Sequence, residues 1–151
     1  MTSERPLARR ASRLLILNEA GRILLFRYED ERGSWWATPG GGLEGNETFE
    51  EAAAREAEEE LALSNVALTF QWERTSEFQS RGQFIRQTER YFLIHPAEKG
   101  VAMTADVSRA HRLEGILTTR WWSRAELRSS TERVFPEDLA DRLDGISLGR
   151  T

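Results

Sequence analysis

Two short apolar runs open the chain and predict neighbouring strands. The runs RLLILN and RILLFRY lie between Ser12 and Tyr28 and are separated by Glu19, Ala20 and Gly21. Glycine tolerates the positive φ of a tight turn, so the pattern predicts a β-hairpin. A brief apolar run at 35–38 then stops at a proline and three glycines, which indicates a short strand followed by a loop.

The middle of the chain changes to a helical pattern. The segment from Thr48 to Leu61 is rich in Ala, Glu and Leu, and Thr48 with Glu51 three residues later fits a capping box. Aromatic and β-branched residues then predict strands at 66–75, 84–95 and 116–122.

The last part of the chain predicts two further helical starts. Ser123 and Glu126 fit a second capping box, and 136–143 reads as a helix with proline in its first turn. The order of strands and helices predicts one α/β domain over 1–151, with a mixed β-sheet between helices. We expect its core at about 11–144, with terminal segments 1–10 and 145–151.

The helix at 48–61 has carboxylates where apolar residues are expected. At about 100° per residue, Phe49, Ala53 and Ala57 form one stripe, and Glu56 and Glu60 fall within about 20° of it. Glu59 lies about 80° away from the stripe, so we expect all three carboxylates to crowd the side where apolar residues belong. Such a helix is either a solvated acidic helix or one whose charges are offset by a bound cation. Oxygen ligands alone favour Mg²⁺ or Mn²⁺ over zinc.

Composition and charge narrow the classes of function. The 151 residues include no cysteine, which excludes disulfides, thiolate metal sites and a cysteine nucleophile. The formal net charge of −4 makes nucleic acid an unfavourable partner and leaves a small ligand as the expected one. The start MTSERPLARR lacks the apolar core of a secretory signal, and no apolar run approaches the roughly 20 residues of a membrane span. The sequence therefore predicts a cytoplasmic protein without a membrane partner.

The stretch from Gly41 to Leu63, GGLEGNETFEEAAAREAEEELAL, resembles the Nudix box. That pattern is a glycine, five residues, Glu, seven residues and then Arg-Glu-U-x-Glu-Glu-x-Gly-U, where U is apolar. The matching positions are Gly41, Glu47, Arg55, Glu56, Ala57, Glu59, Glu60 and Leu63. The pattern is broken only at Ala62, which replaces a glycine and leaves the geometry of the helix end open.

The resemblance implies an α/β/α sandwich and Mg²⁺-dependent hydrolysis of a nucleoside diphosphate linked to another moiety. In that interpretation Glu56 and Glu60 are the principal metal ligands, and Glu59 is a further ligand or the base acting through water. Gly41 would offer its carbonyl to the metal. Arg55 and Glu47 would be supports, with a bidentate pair between Arg55 and Glu47 or a neighbouring Glu holding the cluster in place. Gly40 and Gly42 would be further supports. Relatives often use an extra glutamate outside the box, for which Glu114 and Glu89 are the candidates.

The substrate itself stays open at this level. Arg27, Trp36, Phe78 and Arg90 are candidates for contacts with base or phosphate, because aromatic rings stack on bases and arginines bind phosphates. Related enzymes occur as monomers and as homodimers. The alternative function is a catalytically idle domain of the same fold that binds a nucleotide, although a pure binder has no need for three clustered glutamates.

Overall fold

The computed structural model describes residues 5–30, 33–95 and 116–146, which group into two compact units. Unit 1 contains 5–14 and 40–95, and unit 2 contains 15–30, 33–39 and 116–146. In chain order the elements are β1 (Leu7–Leu15), β2 (Ile23–Asp30), β3 (Gly33–Ala37), β4 (Gly40–Gly42), α1 (Phe49–Leu61), β5 (Ala67–Ser80), β6 (Gln83–His95), β7 (Ile116–Trp122), α2 (Arg124–Ser129), β8 (Val134–Phe135) and α3 (Leu139–Asp144). The predicted α/β class is confirmed, with the strands divided between two sheets.

Unit 1 is built on a four-stranded sheet in the order β4-β1-β6-β5. β5 and β6 form a long antiparallel hairpin whose turn places Arg81 at φ 52° and Gly82 at φ 75°. Two consecutive residues with positive φ give the turn a twist that matches the strands it joins. At the other edge, β4 pairs with β1 and consists of three glycines.

Helix α1 packs against β4 and β5 of this sheet. The hydroxyl of Ser12 on β1 donates to the carbonyl of Phe49 at 2.6 Å, so the start of α1 is fixed to the sheet. The buried face of the helix consists of Ala52, Ala53, Glu56, Ala57 and Glu60. The inward position of both glutamates that periodicity predicted is therefore confirmed.

Both ends of α1 follow from local sequence. Thr48 and Glu51 form the predicted capping box, with each side chain accepting from the other residue's backbone amide at 3.0 Å. At the other end Ala62 adopts a left-handed conformation with φ 55°, and Leu63 donates to the carbonyl of Ala57 at 3.1 Å. Alanine thus takes the conformation for which glycine is preferred, at a cost of roughly 1 kcal/mol.

Unit 2 is built on the second sheet, in the order β7-β2-β3-β8. The predicted hairpin between 12 and 28 is only partly correct. An Ile16–Leu24 backbone bond of 3.0 Å and a Leu17–Ile23 bridge close the turn, but β1 and β2 continue into different sheets. The turn is held by Asn18, whose side chain accepts from the amides of Ala20 and Arg22.

The two short helices of unit 2 differ in how well sequence located them. The capping box of Ser123 and Glu126 is present and starts α2. The final helix begins at Leu139 rather than Pro136, because 136–138 form a turn in which Leu139 donates to the carbonyl of Pro136. No helix among the described residues is long and apolar enough to cross a membrane.

Candidate active site

The inner face of α1 carries the carboxylates that periodicity singled out. Glu56 is 7% exposed and Glu60 is 9% exposed, whereas the side chain of Glu59 is 55% exposed. Burial of a carboxylate is costly unless its charge is balanced. The prediction that all three glutamates crowd the inner side is therefore wrong for Glu59, because only Glu56 and Glu60 face the protein and Glu59 faces water.

Arg55 connects these glutamates to the segment before the helix. Its Nε donates to Glu47 Oε2 at 2.7 Å and its Nη2 donates to Glu47 Oε1 at 3.0 Å, which is the bidentate pair that sequence predicted. Nη2 also donates to the carbonyl of Gly42 at 3.0 Å. Nη1 lies 3.1 Å from Glu56 Oε1 and 3.1 Å from Glu59 Oε2. The guanidinium thereby fixes the register of the loop against the helix.

The electrostatics of this cluster are unbalanced. The hydrogen bond from Arg55 lowers the pKa of Glu47, and the same bond to Glu47 is the largest cause that raises the pKa of Arg55. Glu44 is a further carboxylate, 3.6 Å from Arg55 Nη1. One guanidinium thus lies among four carboxylates, which leaves the cluster with an excess of negative charge.

The glycine strand lies directly against the helix. A Cβ atom at Gly41 would come within 2.6 Å of Glu56 Oε1, so a larger residue here would displace this carboxylate from its position. Gly40 has φ +136°, and a Cβ there would overlap the backbone carbonyl of Ser12. Close backbone approach therefore requires glycine at position 40, and glycine at position 41 leaves room for the Glu56 carboxylate.

The donor set of this cluster suits a hard divalent cation. Buried carboxylate oxygens on Glu56 and Glu60, with a glycine backbone against Glu56, are the kind of ligands that Mg²⁺ and Mn²⁺ prefer. Within 5–30, 33–95 and 116–146, however, no three Asp, Glu or His side chains are gathered closely enough to form a complete metal site by themselves. The residues fit a cation that takes part of its coordination from water or from a substrate phosphate.

Of the two glutamates outside 41–63 that the sequence suggested as an extra ligand or base, only one lies within the described residues. Glu114 lies outside the described residues. Glu89 lies on β6, is 5% exposed and contacts Arg13 Nε at 2.7 Å and Arg74 Nη1 at 3.6 Å. Sequence reasoning missed both arginines, although period-two alternation along the strands places them on the face of Glu89.

Two candidate substrate contacts lie in unit 2. Arg27 on β2 donates to the hydroxyl of Ser34 at 3.1 Å. Trp36 is 6% exposed, and its ring meets that of Trp122 edge to face at 5.3 Å. Trp36 therefore packs among core residues and exposes little of its surface in this structure. The more accessible aromatic pair is Trp35 and Tyr28, stacked at 5.9 Å.

The other two candidates lie in unit 1. The guanidinium of Arg90 lies 4.5 Å from the centroid of the Phe49 ring and its Nε donates to Glu73 at 2.9 Å. These contacts give Arg90 a packing role at the start of α1. Phe78 lies half-buried on β5, opposite Ile85 of β6.

The fold and the site together define a class of protein. It is a mixed α/β chain in which a three-glycine strand precedes an acidic helix with a capped start, and an arginine of that helix binds the neighbouring carboxylates. The sequence model of the NUDIX domain matches residues 7–143, and the chain belongs to this family. The match includes every candidate site residue named above.

Individual relatives agree with this assignment. The chain is 27% identical over 120 residues to an RNA pyrophosphohydrolase of Pseudomonas aeruginosa, covering 72% of this chain and 74% of that protein. It is similar in fold to a MutT protein from Methanosarcina mazei, with TM-score 0.66, 18% identity and 95% of each chain covered. It is also similar to the E. coli dihydroneopterin triphosphate pyrophosphohydrolase, with TM-score 0.62, 19% identity and coverage of 91% and 93%.

Proposed function

We propose that this protein hydrolyses a phosphoanhydride bond in a nucleoside diphosphate linked to another moiety, with water as the nucleophile and Mg²⁺ or Mn²⁺ as cofactor. The observation that carries the proposal is the burial of Glu56 and Glu60 on the face of α1 that meets the glycine strand. Two buried carboxylates in a cluster with excess negative charge are stable when a cation offsets them. A nucleotide binder without chemistry has no such requirement.

The residues of the cluster have separate tasks in this proposal. Glu56 and Glu60 would hold the cation, with the carbonyl of Gly41 as a further oxygen ligand. When bound, the cation neutralises phosphate oxygens and lowers the pKa of water. Glu59, whose side chain is 55% exposed, is the residue best placed to accept a proton from water or to add a ligand.

Arg55 and Glu47 would not contact the cation in this proposal and would act by orienting Glu56 and Glu59. The bidentate bond between them leaves Nη1 of Arg55 at 3.1 Å from both Glu56 and Glu59, so the guanidinium sets the separation of these two carboxylates. Groups that orient metal ligands without touching the metal typically change activity roughly 10- to 100-fold when lost. Both are positioning residues.

The substrate class follows from the family together with the names of the relatives. One relative is an RNA pyrophosphohydrolase and another acts on dihydroneopterin triphosphate. Both names describe cleavage within a phosphate chain, which is consistent with the chemistry that a glutamate cluster and a cation can perform. We therefore propose a small nucleotide-type substrate, and include 5′-triphosphorylated RNA as the competitor to be tested.

The experiment is a substrate panel with purified protein. The products formed from nucleoside triphosphates, sugar nucleotides, dinucleoside polyphosphates and 5′-triphosphorylated RNA would be separated and quantified by anion-exchange chromatography, at graded Mg²⁺ and Mn²⁺. Triphosphates would release phosphate or pyrophosphate, sugar nucleotides would give a nucleoside monophosphate and a sugar phosphate, and dinucleoside polyphosphates would give two nucleotides. We expect turnover that depends on the metal. Glu56→Gln and Glu60→Gln should each lower kcat by about 100-fold or more, since loss of an outer partner alone costs roughly 10- to 100-fold.

Glu58→Gln is the matched control, because Glu58 lies on the exposed side of the same helix. It should leave kcat unchanged. Binding of nucleotides without turnover at any metal concentration would favour the idle domain instead. Equal rates for Glu60→Gln and the unaltered protein would remove the helix from the mechanism.

A further inference from the structure

The first strand of unit 1 is exposed at its N-terminal end. In β1 the four residues from Leu7 to Arg10 are exposed, whereas the strand is mostly buried from Ala11 onward. The segment 5–10 contains three arginines and no carboxylate, in a chain whose formal net charge is −4. Within the described residues, the side chains of Arg9 and Arg10 form no ion pair and no hydrogen bond. The strand therefore presents two neighbouring positive charges that no residue of this structure neutralises.

These two arginines lie on opposite faces of the sheet. Ser12 faces α1, because its hydroxyl donates to the carbonyl of Phe49 at the start of the helix. Since side chains alternate along a strand, Arg10 lies on the same face as Ser12, and Arg9 lies on the other. The two arginines thus have the same charge, strand and exposure and differ in the face on which they lie.

The backbone of Arg10 adjoins the loop that Arg55 holds. The carbonyl of Arg10 accepts from the amide of Leu43 at 3.0 Å. The carbonyl of the preceding residue, Gly42, accepts from Arg55 Nη2 at 3.0 Å. Two consecutive residues therefore connect the backbone of Arg10 with the guanidinium that binds the carboxylates of the acidic cluster. Arg10 is the unpaired arginine of β1 on the face of that cluster.

The other strand arginines on this face are already paired. Arg90 lies on it, because its guanidinium packs over the aromatic ring at the start of α1. Arg86 is four residues earlier on β6 and shares its face. Arg90 donates to Glu73 at 2.9 Å, and Arg86 donates to Glu77 at 2.6 Å. In the part of the chain that the structure describes, Arg10 is thus the strand arginine on this face whose charge is unpaired.

A phosphate chain at the acidic helix requires such a charge. Arg55 lies among four carboxylates, and Glu60 adds a fifth on the same helix face. One divalent cation does not neutralise this cluster, so an oligophosphate would still meet a surplus of negative charge. In the proposed reaction the cation binds the two phosphates of the bond that is cleaved. A third phosphate would then need a cation of its own, and a guanidinium on this face can supply it.

We propose that Arg10 is a substrate-binding residue that contacts the third phosphate of an oligophosphate chain, so that the protein prefers substrates with three or more phosphates. A guanidinium binds phosphate oxygens through two parallel N–H donors. This inference rests on the function proposed above, because a cation at Glu56 and Glu60 places the chain. It favours nucleoside triphosphates, longer dinucleoside polyphosphates and triphosphorylated 5′ ends over sugar nucleotides, which contain two phosphates.

The first test measures binding without hydrolysis. Analogues of inorganic triphosphate and pyrophosphate, with methylene groups in place of the bridging oxygens, would be titrated calorimetrically into the full chain with Mg²⁺ present. We expect the triphosphate analogue to bind about tenfold more tightly, as one further charged hydrogen-bonded contact provides. Arg10→Gln should abolish this difference. Arg10→Lys should restore part of it, since lysine keeps the charge and lacks the fork.

Arg9→Gln is the matched control, because it removes the same charge from the adjacent exposed position on the opposite face. It should keep the preference for the triphosphate analogue. Equal losses in Arg9→Gln and Arg10→Gln would indicate a general attraction of anions to the basic segment and would overturn the assignment. An unchanged preference in Arg10→Gln, or no binding of either analogue to the unaltered protein, would overturn it as well. Circular dichroism would verify that both variants fold.

The second test uses the substrates of the panel. For a substrate with three phosphates, Arg10→Gln should raise KM by about tenfold and leave kcat and the magnesium requirement unchanged. For a substrate with two phosphates, KM should change little. A large fall in kcat together with an altered magnesium requirement would place Arg10 in the metal site and overturn its role as a phosphate contact.

Together the two tests separate this inference from the function on which it rests. An Arg10-dependent preference for the triphosphate analogue in a protein that hydrolyses no substrate would support the phosphate contact and refute the hydrolase. Hydrolysis that depends on Glu56 and Glu60 but not on Arg10, with any length of phosphate chain, would support the hydrolase and refute the contact.

Discussion

Helices α1 and α2 begin with the same type of N-cap but lie in different electrostatic surroundings. Thr48 with Glu51 and Ser123 with Glu126 form equivalent capping boxes. Beyond the cap, α1 turns two glutamates inward and holds a single arginine among four carboxylates. At the start of α2 the arginines outnumber the carboxylate, because Glu126 forms ion pairs with both Arg22, at 2.8 Å, and Arg120, at 2.6 Å.

The difference shows that local helix signals and function are separable. A capping box satisfies backbone amides at a helix start wherever it occurs. The excess of negative charge at α1 is destabilising unless a cation is bound, whereas the ion pairs at the start of α2 are exposed to solvent, which screens their charges. Changes at α1 should therefore alter activity, and equivalent changes at α2 should alter stability alone.

The largest effect that tests this comparison is expected at Arg55. Arg55→Lys keeps the positive charge but loses the fork that bonds Glu47 and the Gly42 carbonyl together. We expect kcat to fall roughly 10- to 100-fold with correct folding, measured by steady-state kinetics and circular dichroism. The counterpart in unit 2, Arg120→Lys, should leave kcat unchanged. Full activity in Arg55→Lys would show that the cluster needs only a charge at this position.

The two N-caps should contribute equally to the free energy of unfolding. Thr48→Ala and Ser123→Ala each remove one side-chain acceptor at a helix start, which should cost about 1 kcal/mol of unfolding free energy. Urea denaturation checks this, and kinetics should show an effect only for Thr48→Ala, whose helix carries the candidate site. Loss of activity in Ser123→Ala at full stability would contradict the separation.

A substitution at the C-terminal end of α1 should stabilise the protein, with a smaller effect than the substitutions above. Ala62 occupies the left-handed region at the end of α1, whereas Ser130 ends α2 in an extended conformation. Ala62→Gly should raise the unfolding free energy by up to about 1 kcal/mol, since glycine has no steric penalty at positive φ. Ser130→Gly should not stabilise the protein. An unchanged or lowered Tm for Ala62→Gly would mean that its unfolded-state entropy cancels the gain.

The smallest expected effect is a loss of stability at acidic pH from the ion pairs of Glu126 at the start of α2. The backbone amide of Ser123, followed by the guanidinium of Arg120, lowers the pKa of Glu126 from 4.5 to about 2. A lowered folded-state pKa stabilises the fold above the unfolded value and ceases to do so as pH falls from 4.5 to 2. The difference in Tm between the unaltered protein and Glu126→Gln should shrink across this window. Glu132→Gln, at an exposed glutamate, is the control.

Much of the fold could be predicted because its determinants are local. Helix α1, both capping boxes and the inward position of Glu56 and Glu60 follow from spacing within about two turns of helix. The bidentate pair of Arg55 with Glu47 was predicted from the Nudix-box resemblance, and the structure contains it. The start of α3 was placed too early, because a proline also fits the turn that precedes a helix.

The surroundings of individual side chains could not be predicted in this way. Adjacent tryptophans at 35 and 36 alternate across a strand, and sequence alone does not say which one is buried. The ion pairs of Glu89 with Arg13 and Arg74 could not be predicted, because these residues are distant in the chain and come together only through strand pairing. The turn after β1 looked like a simple hairpin, although its strands enter separate sheets.

The sequence by itself determined the glutamate helix, its capped start and the register of glycine, arginine and carboxylates. Each depends on residues close in the chain, from the caps 3 residues apart to the bonds of Arg55 with Glu47 and Gly42, which are 8 and 13 residues apart. Only the tertiary structure decided that Arg13, Arg74 and Glu89 form one charged cluster across three neighbouring strands. Helix periodicity is a property of consecutive residues, whereas the pairing of β1, β5 and β6 is set by long-range burial and hydrogen bonding.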